Sequence, residues 1–305
     1  MAIPTSRTSE AASVFIDEKK CTGCGLCVEV CKDFGLTITN GKASVRQDPL
    51  FGCIGCGHCM AVCPKGAIMV SGRCISPDDL FALPPKKEVP SYQSLSALMM
   101  RRRSIREFSD REVKGGVIGR VLDAARNAPM GLPPSDVNVL VLDSREKVSR
   151  FSSDFCALLN GMKWFVSGWF QALMRPFWGR ETAQLFRDFV RPMIYAFTSE
   201  AEKGKDIVLY NAPVALYFYG TPFSDPADPQ IAATYAMLAA ESLGLGTCMI
   251  GSLHPMIQYG GSARKFREKY GVRYTSREGL VLIMGYPRVK YRKGVARSFA
   301  NVDFI

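Results

Sequence analysis

The chain has 305 residues, 47% hydrophobic and 22% charged, enough for two domains with sizeable cores; disorder, collagen-like repeats and coiled coil are excluded for most of it. The formal charge is +11, and residues 1–85 carry eight Lys/Arg against eight Asp/Glu, so the surplus lies wholly in 86–305, where it points to an anionic partner. Eight of the eleven cysteines fall within residues 21–63, and the amino terminus lacks the apolar run of a secretory signal, so a cytoplasmic protein with metal-binding thiols is expected.

Residues 14–16 (VFI) read as a short strand leading into the first cysteine run. That run, CTGCGLCVEVC, returns 32 residues later as CIGCGHCMAVC, an internal repeat of loop and short helix. Residues 72–90 hold four prolines and mixed charge and read as a linker, which places one domain over 1–85 and a second over 86–305. An amphipathic segment (SLSALMMRRRS) and a helix over 115–126 come next. The stretches 137–142, 214–219 and 280–285 are short, apolar and rich in β-branched or aromatic residues, so they read as buried strands. Residues 230–243 suit a helix closed by Gly244. Helices and strands mix without regular alternation, which favours an α+β fold. No G-x-G-x-x-G follows a strand and no G-x-x-x-x-G-K-[ST] occurs, so a resident dinucleotide is not expected. The stretch 156–174 has 13 apolar residues in 19, broken by Asn160, Lys163 and Gln171. It reads as a buried or lid helix pair inside an aromatic-rich segment over 151–200, without stable membrane insertion.

Each cysteine run has the spacing C-x2-C-x2-C-x3-C: Cys21, Cys24, Cys27, Cys31, then Cys53, Cys56, Cys59, Cys63. This is the two-cluster bacterial ferredoxin pattern, in which the fourth cysteine of each run serves the other cluster. Three thiolates on a tight, glycine-bearing loop wrap three corners of a cube, and the fourth ligand, starting a helix, ties the halves together. Cys21, Cys24, Cys27 and Cys63 are therefore assigned to one [4Fe–4S] cluster, and Cys53, Cys56, Cys59 and Cys31 to the other. Pro64 follows the second run, whereas Lys32 follows the first. Structural zinc prefers two separated pairs, which two four-cysteine runs do not resemble. His58 is expected to tune a cluster rather than ligate it. Cys74, Cys156 and Cys248 lie outside the spacing and read as buried thiols.

Residues 101–106 (RRRSIR) gather four guanidiniums and a hydroxyl, a set suited to phosphate oxygens, to nucleic acid or simply to a solvated face. Their company decides: MMRRRSIREFS, then RNAPMGLPPSD, then LYNAPVALYFYG, then AAESLGLGTCMIGS, then IMGYP with a basic tail. From about Tyr92 to the end, that order resembles the nitroreductase family of FMN-dependent oxidoreductases. With the cysteine runs in front, the whole chain resembles its ferredoxin-fused branch. The resemblance implies an α+β homodimer that binds FMN and no nucleic acid. By position it assigns Arg102, Arg103, Ser104 and Arg106 to the FMN phosphate and ribityl chain, with Arg297 reaching the same phosphate and Lys290 and Arg292 near it. It lays Met249, Ile250, Gly251 and Ser252 along the flavin ring, brings backbone groups of Met130 and Gly131 to it, and adds Lys205 as a further contact. The family's S-x-x-N-x-Q after A-P is replaced here by Met130 to Ser135, with Pro133, Pro134 and Ser135 in place of amides.

The expected protein is thus an iron–sulfur flavoenzyme that passes electrons from two [4Fe–4S] clusters to FMN and on to a nitroaromatic, quinone or activated alkene. An external ferredoxin is the expected donor, with NAD(P)H, docking transiently, as the other. The rival class is an electron-transfer module that serves a protein partner and has no substrate of its own. Reduction of a carbon–halogen bond is a further chemistry the scaffold supports. Only two histidines occur, and His254, in SLHP, is the candidate proton donor.

Overall fold

The computed structural model describes residues 2–31, 35–49 and 51–305. The amino-terminal part runs β1 (Ser13–Ile16), α1 (Leu26–Val30), β2 (Leu36–Thr39), β3 (Lys42–Val45), α2 (His58–Val62) and β4 (Ile68–Ser71). Strands β1 and β4 pair antiparallel from Ser13↔Ser71 to Ile16↔Ile68, and β2–β3 form a hairpin turned by Asn40 and Gly41, both at positive φ. Both short helices are opened by a left-handed glycine, Gly25 at φ 82° and Gly57 at φ 73°, a conformation that side chains resist. The third cysteine of each run, Cys27 or Cys59, therefore lies inside a helix. The fourth, Cys31 or Cys63, ends that helix in extended backbone instead of starting one, which corrects the sequence expectation. Lys32 lies outside the described residues.

Beyond β4 the chain makes a tight turn bridged between Gly72 and Ile75, then short 3-10 turns at Pro77–Asp79 and Lys86–Glu88. Residues 77–95 are exposed, as a linker would be, but Arg73 is buried, so the first residues of the expected linker are built into the fold.

The larger part continues with α3 (Tyr92–Arg101), α4 (Gly115–Ala125), β5 (Asn138–Leu142), α5 (Arg145–Gly161), α6 (Gly168–Met174), α7 (Arg180–Leu185) and α8 (Arg191–Glu202). It closes with β6 (Val214–Tyr219), α9 (Asp228–Ser242), β7 (Gly246–Ile250), α10 (Leu253–Gln258), α11 (Gly261–Lys269) and β8 (Gly279–Gly285). Four strands make an antiparallel sheet in the order β5-β6-β8-β7. All six residues of β6 are buried because the sheet is covered on both faces. Val214, Leu216 and Phe218 face α4 and α9, whereas Ala215, Tyr217 and Tyr219 face the core of α5, α8, α10 and α11. A strand between two helix layers must be apolar at every position, which is why β6 and β8 are continuous apolar runs.

Within 156–174, the first residues complete α5, with Cys156, Leu158 and Leu159 buried, while α6 buries none of its residues. No helix among the described residues is long and apolar enough to cross a membrane. Of the three cysteines outside the runs, Cys156 and Cys248 are buried, but Cys74 is exposed on the Gly72–Ile75 turn.

Candidate functional site

Two cavities sort the cysteines across the repeat. One is lined by Cys21, Cys24, Cys27 and, from the other run, Cys63. The second is lined by Cys53, Cys56, Cys59 and, from the first run, Cys31. The crossing follows from the helix ends: Cys31 and Cys63 leave α1 and α2 in extended backbone, and α1 packs on α2. Backbone amides already point at the sulfurs, with Ala43 N donating to Cys21 Sγ at 3.4 Å and Ala67 N to Cys63 Sγ at 3.3 Å. Burial pushes the Cys59 thiol up to about 12, and the neighbouring Cys53, Cys56 and Cys31 add to the rise. Such a thiol ionises only against a strong positive charge, which an iron–sulfur core supplies. Among the described residues no group of three or more His, Cys, Asp or Glu is arranged to hold a single metal ion. The donor set, two groups of four sulfurs, fits two cubes. His58, exposed on the first turn of α2, lines the second cavity.

A second, cationic site forms where α3 ends. Ser104 bridges in parallel to Thr247 at the start of β7, and Ile105 N donates to Thr247 O at 2.8 Å. The approach is close: a Cβ on Gly246 would meet Ile105 at 2.5 Å. Beside this seam lies a groove of about 490 Å³ lined by Arg101, Arg103, Glu241, Arg288, Lys290 and Arg292, among others. Burial pushes the Glu241 carboxyl up, against the pull of Arg101, Arg102 and Arg103. The Thr247 hydroxyl is buried beside Ser104 with no hydrogen-bond partner. The excess of cations along the groove suits a phosphate. Further along β7, Met249 and Ile250 are half-buried and Gly251 is exposed. The extended strand sets them roughly 14 Å from the cationic end.

Residues 99–286 match the model of the nitroreductase family, more than half of the chain. The chain belongs to the nitroreductase family. Residues 11–68 match a 4Fe-4S dicluster domain. A nitroreductase with bound FMN from Desulfitobacterium hafniense is 18% identical, with a TM-score of 0.50, covering 69% of this chain and 97% of that one. A nitroreductase with bound FMN from Bacteroides fragilis is 14% identical, also at 0.50, covering 69% and 98%. At such identities the likeness is one of fold. No curated protein matches the chain.

The other residues assigned by resemblance to this nitroreductase-family chain are dispersed. Arg102, Arg103 and Ser104 are half-buried at the seam, and Arg103 Nη1 donates to the carbonyls of Met100 at 2.7 Å and Arg102 at 2.6 Å. Arg106 is exposed over the Tyr210 ring at 5.5 Å. Lys205 pairs with Glu200 at 3.7 Å, and Arg297 is exposed on the tail. Met130 and Gly131 precede β5, the sheet edge opposite β7, and Gly131 N donates to Asp228 Oδ1 at 3.0 Å. The structure thus does not gather them with residues 249–252 on that edge. Ser252 is half-buried just before α10.

His254 requires a correction. It is 3% exposed, with Nδ1 2.8 Å from Tyr217 Oη and Nε2 3.3 Å from Ser276 O, so both ring nitrogens are engaged within the core. Burial holds its pKa below the ordinary value, and a proton donor to a bound substrate is not what this position provides. The aromatic segment forms its own cluster, with Trp178 stacked on Phe186 at 4.5 Å and Phe165 edge-on to Phe186 at 5.6 Å. The residues missed by sequence reasoning are Arg73, Asp136 and Ser6, which join the two parts of the chain. No motif or spacing marks them.

Proposed function

We propose that the chain is an iron–sulfur flavoprotein oxidoreductase in which residues 1–85 carry two [4Fe–4S] clusters and residues 86–305 bind FMN. The reading is carried by the two cavities, each combining three thiols of one run with the fourth of the other, in a chain that also has a cationic groove at the start of β7. Cys21, Cys24, Cys27 and Cys63 hold one cluster; Cys53, Cys56, Cys59 and Cys31 hold the other. Arg102, Arg103 and Ser104 bind the FMN phosphate, with Lys290, Arg292 and Arg297 supplying further charge from the tail. Met249 to Ser252 support the flavin ring, and the 128–136 loop reaches it. Its placement at the opposite sheet edge is suited to a homodimer in which loops of two copies complete each site. When bound, the clusters supply single electrons and FMN supplies paired-electron chemistry for a small electrophilic acceptor such as a nitroaromatic, quinone or activated alkene.

Reduced external ferredoxin, in the cytoplasm, is the donor that gives the cysteine runs a purpose. The test is an anaerobic visible spectrum of the purified protein with iron, sulfide and flavin counts. About eight iron and eight sulfide per chain with one FMN are expected for two cubes and a flavin. Zinc without acid-labile sulfide, or a chain that retains no flavin, overturns the reading.

A further inference from the structure

Arg73 is a cation with 5% of its surface exposed, and it donates to four carbonyl oxygens from three segments of the chain. Nε reaches Ile54, beside Cys53, at 3.0 Å. Nη1 reaches Ile3 at 3.0 Å and Glu10 at 2.7 Å in the amino-terminal arm, and Nη2 reaches Pro133 at 2.8 Å. Its backbone sits at φ 49°, the left-handed region where glycine would cost least. Burial of a cation and a strained backbone are both unfavourable, so the position is justified by what the fork of donors joins.

A second tie grips the same loop. Asp136, 4% exposed, accepts from Ser6 N at 3.2 and 3.1 Å, from Ser6 Oγ at 2.6 Å and from Thr221 Oγ1 at 3.1 Å. The first cysteine run is held against the β2–β3 hairpin. Lys42 Nζ donates to Cys21 O, and Gly23 abuts the hairpin turn at Gly41.

Resting on the flavoprotein reading above, we infer that Arg73 couples the second cysteine run to the 128–136 loop. The cluster on Cys53, Cys56, Cys59 and Cys31 is then the one that delivers electrons to the flavin, and the other is the entry cluster. The bridge Ile54 O, Arg73, Pro133 O is two hydrogen bonds long. Each transfer oxidises the delivering cluster by one electron and adds that electron to the flavin. Two transfers, with two protons from solvent, would complete the reduction, with reduced external ferredoxin re-reducing the entry cluster and the entry cluster in turn re-reducing the delivering one. Arg73 is a positioning residue: it touches neither acceptor nor reacting atoms.

The test compares full-length wild type with Arg73→Gln, Arg73→Lys and Ser6→Ala. Redox titration followed by EPR is expected to show one cluster of Arg73→Gln shifted to lower potential, since a nearby cation favours the reduced, more negative cluster, with the other unchanged. Arg73→Lys keeps the charge and should restore that potential. A single ammonium cannot span Ile54 and Pro133, so in both variants flavin reduction by ferredoxin should slow at least tenfold while direct reduction by dithionite is unchanged. Hydrogen exchange should quicken over 53–59 and 128–136 together and stay constant over 21–27. Ser6→Ala, the milder change, should quicken exchange over 128–136 and slow transfer severalfold. Equal shifts at both clusters, or transfer in Arg73→Gln within twofold of wild type, overturn the inference. If Arg73→Gln does not fold, unchanged exchange and transfer in Ser6→Ala overturn it. Wild type lacking sulfide or flavin overturns the functional reading itself, whereas full counts with unmoved exchange in Arg73→Gln overturn only the role of Arg73.

Discussion

Arg102 sits half-buried where α3 gives way to the strand-like seam with Thr247, and its backbone N–H still closes the helix on Leu98 O at 3.2 Å. The backbone is thus fixed, and the guanidinium, near the Glu241 carboxylate, is proposed to reach the phosphate. A charge-assisted donor to phosphate contributes about 1.5–3 kcal/mol, so Arg102→Ala should weaken FMN binding at least about tenfold, measured by fluorescence titration of the apoprotein. Unchanged affinity places the phosphate elsewhere. His254 makes the opposite case, a titratable residue used for packing. Nε2 donates to Ser276 O, Nδ1 accepts from Tyr217, and Gln258 Nε2 donates to the same Tyr217 oxygen at 2.9 Å. Burial lowers its pKa from 6.5, so the unfolded chain binds the proton more readily than the folded one. Its contribution to stability is complete above about pH 6.5 and is lost as pH falls through the lowered folded value. His254→Phe should cost about 1–3 kcal/mol near pH 8, by leaving the Tyr217 hydroxyl short of a partner, and should flatten the loss of melting temperature between pH 7 and pH 5. An equally steep acid loss in the variant assigns that slope to other groups. The arginine–serine run stands out in the sequence but reads there equally as a solvated face; only the family resemblance assigns it to phosphate, and its seam with Thr247 has no mark in the sequence. His254 was not legible, because its partner Tyr217 is 37 positions away, and Arg73 was not, because its partners are backbone carbonyls that no residue pattern encodes.

Elements show the same division between local and distant causes. Strands β6 and β8 and helix α9 were legible because burial on both sheet faces imposes apolar runs that need no partner to be recognised. Strand β7 carries no strand expectation in the sequence, since Gly246, Thr247 and Cys248 give little strand signal; its pairing with β8 from Gly246↔Gly285 to Ile250↔Val281 makes it a strand. A short helix per cysteine run is expected, but it ends at the fourth cysteine rather than starting there, because the left-handed Gly25 and Gly57 open each helix before the third cysteine. That phasing has a consequence for ligand exchange. Cys31 ends α1 at the cavity of the second run, so Cys31→Ser should strip the cluster held by Cys53, Cys56 and Cys59 and spare the one at Cys21, Cys24 and Cys27. EPR of the reduced variant, with about half the iron and sulfide retained, is the measurement. Loss of the signal belonging to its own run instead removes the crossed assignment.

On the scale of the whole molecule, charge and apolar surface are distributed unevenly. The basic surplus lies with residues 86–305, α3 buries none of its residues and leaves Leu95, Met99 and Met100 exposed, and the tail leaves Phe299 83% and Phe304 97% exposed. Among the described residues, hydrogen bonds from Arg73 to Pro133 and from Ser6 to Asp136 tie the two parts of one chain, with Arg73 and Asp136 buried. Fusion would hold the clusters at high effective concentration within the dimer, so delivery to a flavin reached by the 128–136 loop would need no separate encounter step. If electrons enter this way, replacing Cys24 and Cys56 together should remove turnover driven by reduced ferredoxin while leaving the protein loaded with FMN. Direct chemical reduction of that FMN, followed by oxidation with a nitroaromatic or quinone, should proceed at the wild-type rate, because the larger part and its cationic groove are untouched. The comparison is made anaerobically on flavin-matched samples. Ferredoxin-driven turnover at the wild-type rate in the double variant removes the clusters from the path and leaves the cysteine domain with a role other than electron entry.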